Sequence, residues 1–236
     1  MSLALNEGER VAVVGPEGAG KAQLLRLIDG QLRGWTGRAM VLARPLRPDR
    51  PPARRELCET GHVGRELALL LEVTVRQNVL NGRLGHAPVL GSLLGRFTLA
   101  DRFRAEAAMA EARVAELAGE RVGELAPGMQ QRVALARCLA QDPRLILIDA
   151  RAFGREPVRA EALVRLSAEC ARRRAATLIF ASAEPAIALR YADRIVAMQA
   201  GRVVLTGTPE ALGPGELARL YRGQIEIGQP RLRLVV

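Results

Sequence analysis

Lysine is almost missing from this chain. Thirty-five of its 236 residues are basic, yet Lys21 is the only lysine and the other 34 are arginines. Aromatic residues make up 3%, too few for the stacking platform that single-stranded nucleic acid requires. Cysteine is scarce as well. Cys58, Cys138 and Cys170 are odd in number and widely spaced, which excludes a disulfide framework or a zinc site and predicts reduced packing residues of a cytoplasmic protein. His62 and His86 read as surface or loop histidines. No run approaches the roughly 18 apolar residues of a membrane-spanning helix. The start, MSLALNEGER, lacks the layout of a secretory signal, so the expectation is a soluble, non-exported chain.

What is present has a clear grain. The net charge of +10 leaves anionic partners open. The arginines are scattered, however, and the clusters at 47–55 and 172–174 read as solvated faces, with anionic lipid as a second reading. Nucleic acid is not expected as a partner. Val11-Ala12-Val13-Val14 is a buried strand running straight into Gly15, and Leu24, Leu25, Leu27 and Ile28 share one helical face before Gly30. Residues 37–46 read as an edge strand followed by a Pro/Arg-rich loop. Thr98 and Asp101 form a capping box for a helix ending near Gly119. A helix over 130–141 stops at Asp142-Pro143. Leu145–Ile148 is an apolar strand ending in Asp149. A helix over 157–174 precedes the strand Thr177–Phe180, a hairpin turns at Ala200-Gly201, and Thr208-Pro209-Glu210 starts a last helix. The tail 224–236 alternates weakly and reads as either an added strand or an interface.

Gly15, Pro16, Glu17, Gly18, Ala19, Gly20 and Lys21 have the spacing of a phosphate-binding loop, set between a strand and a helix as such a loop must be. Glycines let backbone N–H groups turn inward toward phosphate oxygens, the helix adds its positive end, and the ammonium neutralises terminal phosphates. The hydroxyl that should follow the lysine and ligate Mg²⁺ is missing: Ala22 has no oxygen, and Gln23 sits one position on. ATP is the expected cofactor, with a poor grip on Mg²⁺.

Further motifs carry a resemblance. Glu124-Leu125-Ala126-Pro127-Gly128-Met129-Gln130-Gln131-Arg132-Val133 resembles the signature of ABC transporter ATPases, and Leu145 to Asp149 resembles their Walker B strand. Together with the phosphate loop the order matches over almost the whole chain. "TVRQNVLNGRLG" and "LRYADRIVAMQAGRVV" are similar to the ATP-binding subunits of phosphonate importers. The resemblance implies an α/β P-loop NTPase core, with a mainly parallel sheet and a small antiparallel β portion, over 1–64 and 126–236. A helical, signature-bearing subdomain is implied over 65–125. It also implies a place in the cytoplasm at the inner face of the membrane, against transmembrane permease subunits. A second nucleotide-binding subunit, an active paralogue rather than another copy, is implied as a partner, and an external binding protein indirectly.

The catalytic positions depart from the family. The water-polarising glutamate is Ala150, the switch histidine is Ala183, and the Q-loop glutamine is Arg65. In the signature, Leu125, Ala126, Pro127, Gly128 and Met129 stand with alanine for serine and proline for glycine. Proline has no N–H to donate to a partner's phosphate. Asp149 remains as a candidate metal ligand. The expectation is a nucleotide-binding subunit impaired in hydrolysis, with a slow but active ATPase driving import as the alternative. Glu156 and Glu184, the acids that could replace the base, read as ordinary exposed carboxylates.

Overall fold

The computed structural model describes residues 3–64, 66–86, 97–150, 156–222 and 234–235. Two compact units are formed, one from Met1–Pro52 with Leu147–Val236 and the other from Ala53–Ile146.

Numbered along the chain, the first unit holds β1 (Leu3–Ala4), β2 (Arg10–Val14), α1 (Lys21–Ile28), β3 (Ala39–Val41) and β4 (Arg44–Pro45). The second holds α2 (Arg54–Leu57), β5 (Thr60–Val63), α3 (Val75–Asn81), α4 (Leu99–Glu111) and α5 (Pro127–Ala140). Strand β6 (Leu145–Asp149) runs from the second unit into the first. The first unit continues with α6 (Pro157–Arg173), β7 (Thr177–Ala181), α7 (Pro185–Tyr191), β8 (Arg194–Gln199), β9 (Arg202–Gly207), α8 (Pro209–Tyr221) and β10 (Leu234–Val235).

In the first unit the main sheet has the order β6-β7-β2-β8-β9. β2 is parallel to both β7 and β8, and β9 returns antiparallel to β8. Every residue of β6 and β7 is buried, as their continuous apolar runs require of strands covered on both faces. α1 buries Lys21, Leu24, Leu25 and Ile28, the three- and four-residue spacing of one helical stripe. Asp29 closes it, and Gly30 follows at φ 68. A second, small sheet has the order β1-β10-β3-β4. In it Leu234 and Val235 pair in parallel with β1 on one side and β3 on the other, so the end of the tail is an added strand. Residues 224–233 lie outside the described residues.

Two local expectations need correcting. The edge strand read over 37–46 is a hairpin, β3 against β4, turned at Leu42 and Ala43 with φ 50 and 62. That two-residue turn normally recruits glycine or asparagine, so nothing in its composition announces it. The helix read as ending near Gly119 ends at Glu111. Arg113 takes φ 60, and the Val114 N–H turns back to the carbonyl of Met109 at 2.9 Å. A left-handed residue closes a helix whatever its side chain, and an arginine there gives no compositional warning.

The start of α4 is as read. Thr98 Oγ1 accepts from the Asp101 N–H at 3.1 Å, and the Asp101 carboxylate accepts from the Thr98 N–H at 3.1 Å. Replacing Thr98 with alanine removes that cap and should cost about 1 kcal/mol. The expected drop in thermal midpoint is roughly 2–4 °C, readable by circular dichroism.

Candidate functional site

Strand β2 delivers the chain to Gly15, where φ is 148 and an added Cβ would lie 2.1 Å from the carbonyl oxygen of Met198 on β8. Only glycine fits that approach. The loop then turns through an Ala19 N–H bond to Pro16 O at 3.2 Å. Gly18 and Gly20 take φ 77 and 96, conformations open to glycine at little cost. The β8–β9 turn braces the outer side: the Gly201 N–H donates to Ala19 O at 3.1 Å, and a Cβ on Gly20 would meet Gly201 Cα at 3.2 Å.

Lys21 is the first residue of α1 and is 2% exposed. Its ammonium donates to the carbonyl of Gly15 and, at 2.8 Å, to that of Pro16. The loop wraps the chain's one lysine in its own carbonyl oxygens. Ala22 is half-buried, Gln23 is exposed, and Glu17 and Gly18 face solvent. The first-turn N–H groups of a helix have no acceptor within it, so the start of α1, the glycine turns and Lys21 form a cradle suited to phosphate. The residues present fit a nucleotide's phosphates.

β6 lies beside β7 and ends in Asp149, 7% exposed, with Ala150 next at 3%. After β7, the N–H of Ser182 bonds Val13 O at 3.0 Å, the Ser182 hydroxyl accepts from the Glu184 N–H at 3.0 Å, and Ala183 is exposed. Among Ala22, Asp149, Ala150 and Ala183 there is one carboxylate, no hydroxyl and no imidazole.

The signature-like residues belong to the second unit. Ala126 is the N-cap of α5 and Pro127 its first helical residue. Leu125, Gly128 and Met129 are half-buried, while Ala126 and Pro127 are exposed. A proline at the first helical position suits the helix, because its missing N–H would have had no partner within it. The Met129 N–H reaches Ala126 O at 2.8 Å, and Gln130 Nε2 ties down the carbonyls of Val122 and Leu125, each at 3.1 Å. Among the described residues a Cβ on Gly128 would meet nothing within 4 Å, so no described neighbour requires glycine there. Arg65 lies outside the described residues. Just beyond it, the Arg137 guanidinium of α5 donates to the carbonyls of Leu67 and Ala68.

Sequence reasoning missed Tyr221 and Met198. Tyr221 lies 206 positions from Gly15, so no local spacing links them. Its one signal is rarity, since the chain has 2 tyrosines.

Strand, phosphate loop and helix on a mainly parallel sheet define a P-loop nucleotide-binding fold. The family model described as ABC transporter matches residues 1–151. The chain is 35% identical over 225 residues to the Phosphonates import ATP-binding protein PhnC 1 of Rhodopseudomonas palustris (strain HaA2), covering 94% of this chain and 79% of that protein. It is 36% identical over 211 residues to PhnC 2 of Trichodesmium erythraeum (strain IMS101), covering 89% and 80%. Among solved structures, CbiO1 from Clostridium perfringens, part of the ABC transporter complex CbiONQ, superimposes with a TM-score of 0.74 at 24% identity, covering 92% of this chain and 84% of that one. This protein belongs to the ABC transporter family and is a nucleotide-binding subunit resembling the phosphonate import ATP-binding proteins. The family binds ATP, and its import subunits work with transmembrane permeases. Among the described residues no helix is long and apolar enough to cross a membrane.

Proposed function

We propose that this chain holds ATP in a phosphonate-type import complex without hydrolysing it at a useful rate, acting as a partner or regulatory subunit beside an active paralogue. One contrast supports the reading. The phosphate loop keeps its glycines and Lys21, while the side chains that would ligate metal, polarise water and sense the γ-phosphate are Ala22, Ala150 and Ala183. The loop N–H groups and the positive end of α1 bind and orient the phosphates, and the Lys21 ammonium exchanges its two carbonyl partners for phosphate oxygens. At Ala150 a buried methyl stands where a base would hold a proton. Loss of a positioned base alone costs about 10²–10⁴ in rate. Pro127 donates no N–H across a subunit contact.

Calorimetric titration with ATP, with and without Mg²⁺, beside a Lys21→Ala variant tests this reading together with a phosphate-release assay. A charged hydrogen bond contributes about 1.5–3 kcal/mol, so Lys21→Ala should weaken binding by about 10- to 100-fold. Magnesium should change the wild-type affinity little, and phosphate release should not exceed that of the variant. Tight Mg²⁺-dependent binding with steady turnover would instead establish the slow ATPase.

A further inference from the structure

Tyr221 is the last residue of α8, and its hydroxyl accepts the N–H of Gly15 at 3.2 Å. Gly15 is held from two further directions. Its Cα lies so close to Met198 that a Cβ would come within 2.1 Å of that residue's carbonyl oxygen, and its own carbonyl accepts from the Lys21 ammonium. A residue has two soft dihedrals. With the N–H pinned by Tyr221 and Cα pinned against β8, φ stays at 148, and only ψ is left to aim the carbonyl that holds the lysine.

We propose that Tyr221 is a positioning residue for the phosphate loop: its hydroxyl fixes the Gly15 N–H, sets the resting place of the Lys21 ammonium, and couples occupancy of the loop to the seating of α8. The coupling rests on the nucleotide-holding reading above; the positioning of Gly15 does not. The phenol suits the task over the physiological range. Burial pushes its pKa up, the Gly15 N–H works against that rise, and the charge of Glu184 adds to it, so the group stays a neutral hydroxyl. The other tyrosine, Tyr191, donates its hydroxyl to Glu161 at 2.9 Å and serves as the matched control.

The test compares wild type, Tyr221→Phe and Tyr191→Phe by amide exchange at Gly15, by affinity for ADP and inorganic tripolyphosphate, and by thermal midpoint. A neutral hydrogen bond corresponds to about a 2- to 12-fold effect. Tyr221→Phe should therefore speed exchange at Gly15 and weaken tripolyphosphate binding by about 3- to 10-fold, while Tyr191→Phe leaves both unchanged at a similar cost in midpoint. Unchanged exchange at Gly15 in Tyr221→Phe, or equal changes in both variants, overturns the proposal. If wild type binds neither probe, the nucleotide-holding reading falls, and exchange at Gly15 still decides whether Tyr221 positions the loop.

Discussion

Gly15→Ala is expected to collapse the phosphate loop and to cost at least about 4 kcal/mol, the range reserved for severe mechanisms. The obstacle is backbone. The oxygen that the new methyl would meet at 2.1 Å belongs to Met198, and β8 is paired on both sides, with β2 and with β9. Neither strand can retreat without breaking ladder bonds. The thermal midpoint should fall by roughly 8–16 °C, on the scale of 2–4 °C per kcal/mol for a chain of this length. Gly18→Ala is the control. Gly18 also has positive φ, 77, but among the described residues a Cβ there meets nothing within 4 Å, which leaves the conformational penalty of about 1–2 kcal/mol. Equal midpoints for the two variants in thermal denaturation would refute the steric argument.

Arg83→Met should be comparably damaging in the second unit. Arg83 is 4% exposed and sits in the single turn after α3. Its Nε meets Asp101 of α4 at 3.0 Å, and a second nitrogen donates to Ala140 O at the end of α5, 2.9 Å away. One side chain thereby closes the ends of three helices. Methionine fills the volume but leaves the buried Asp101 carboxylate without its cationic partner and the Ala140 carbonyl without this donor, a loss of about 3–5 kcal/mol. The pH dependence identifies the cause. Burial alone would raise the Asp101 pKa, but the bonds from Thr98 and Arg83 outweigh it and hold the carboxyl below its ordinary value. A carboxyl lowered on folding contributes stability that is present above its unfolded pKa, about 3.9, and is lost as pH falls through the folded value. In the variant the acid is neutralised more readily. The gap between wild type and Arg83→Met should therefore be widest near neutral pH and narrow below about pH 4, as urea denaturation at each pH would show. A gap that stays constant with pH would mean that packing, not the charge pair, carries the effect.

The phosphate loop was legible because its chemistry is local. Strand, glycines, lysine and helix occupy one short stretch, and each residue's backbone freedom or charge says what it can do. The capping box at Thr98 and Asp101 was equally readable, three residues apart as the motif demands. Where a boundary depends on left-handed residues that carry ordinary side chains, composition is silent. Leu42, Ala43 and Arg113 are such residues, and there the hairpin and the helix end went unread. Arg65 lies outside the described residues, and the roles of Ala22, Ala150 and Ala183 rest on the reading proposed above.

By itself the sequence determined the phosphate loop built around the only lysine, the strand and helix that flank it, and the capping box at Thr98, because each of these is a matter of residue type at short spacing. Only the tertiary structure decided that Met198 and Tyr221 hold Gly15, that Arg83 joins three helix ends, and that Leu234 and Val235 close a sheet between the first strand and the third. Those contacts join residues far apart in the chain, and only packing of the folded units brings such residues within hydrogen-bonding range.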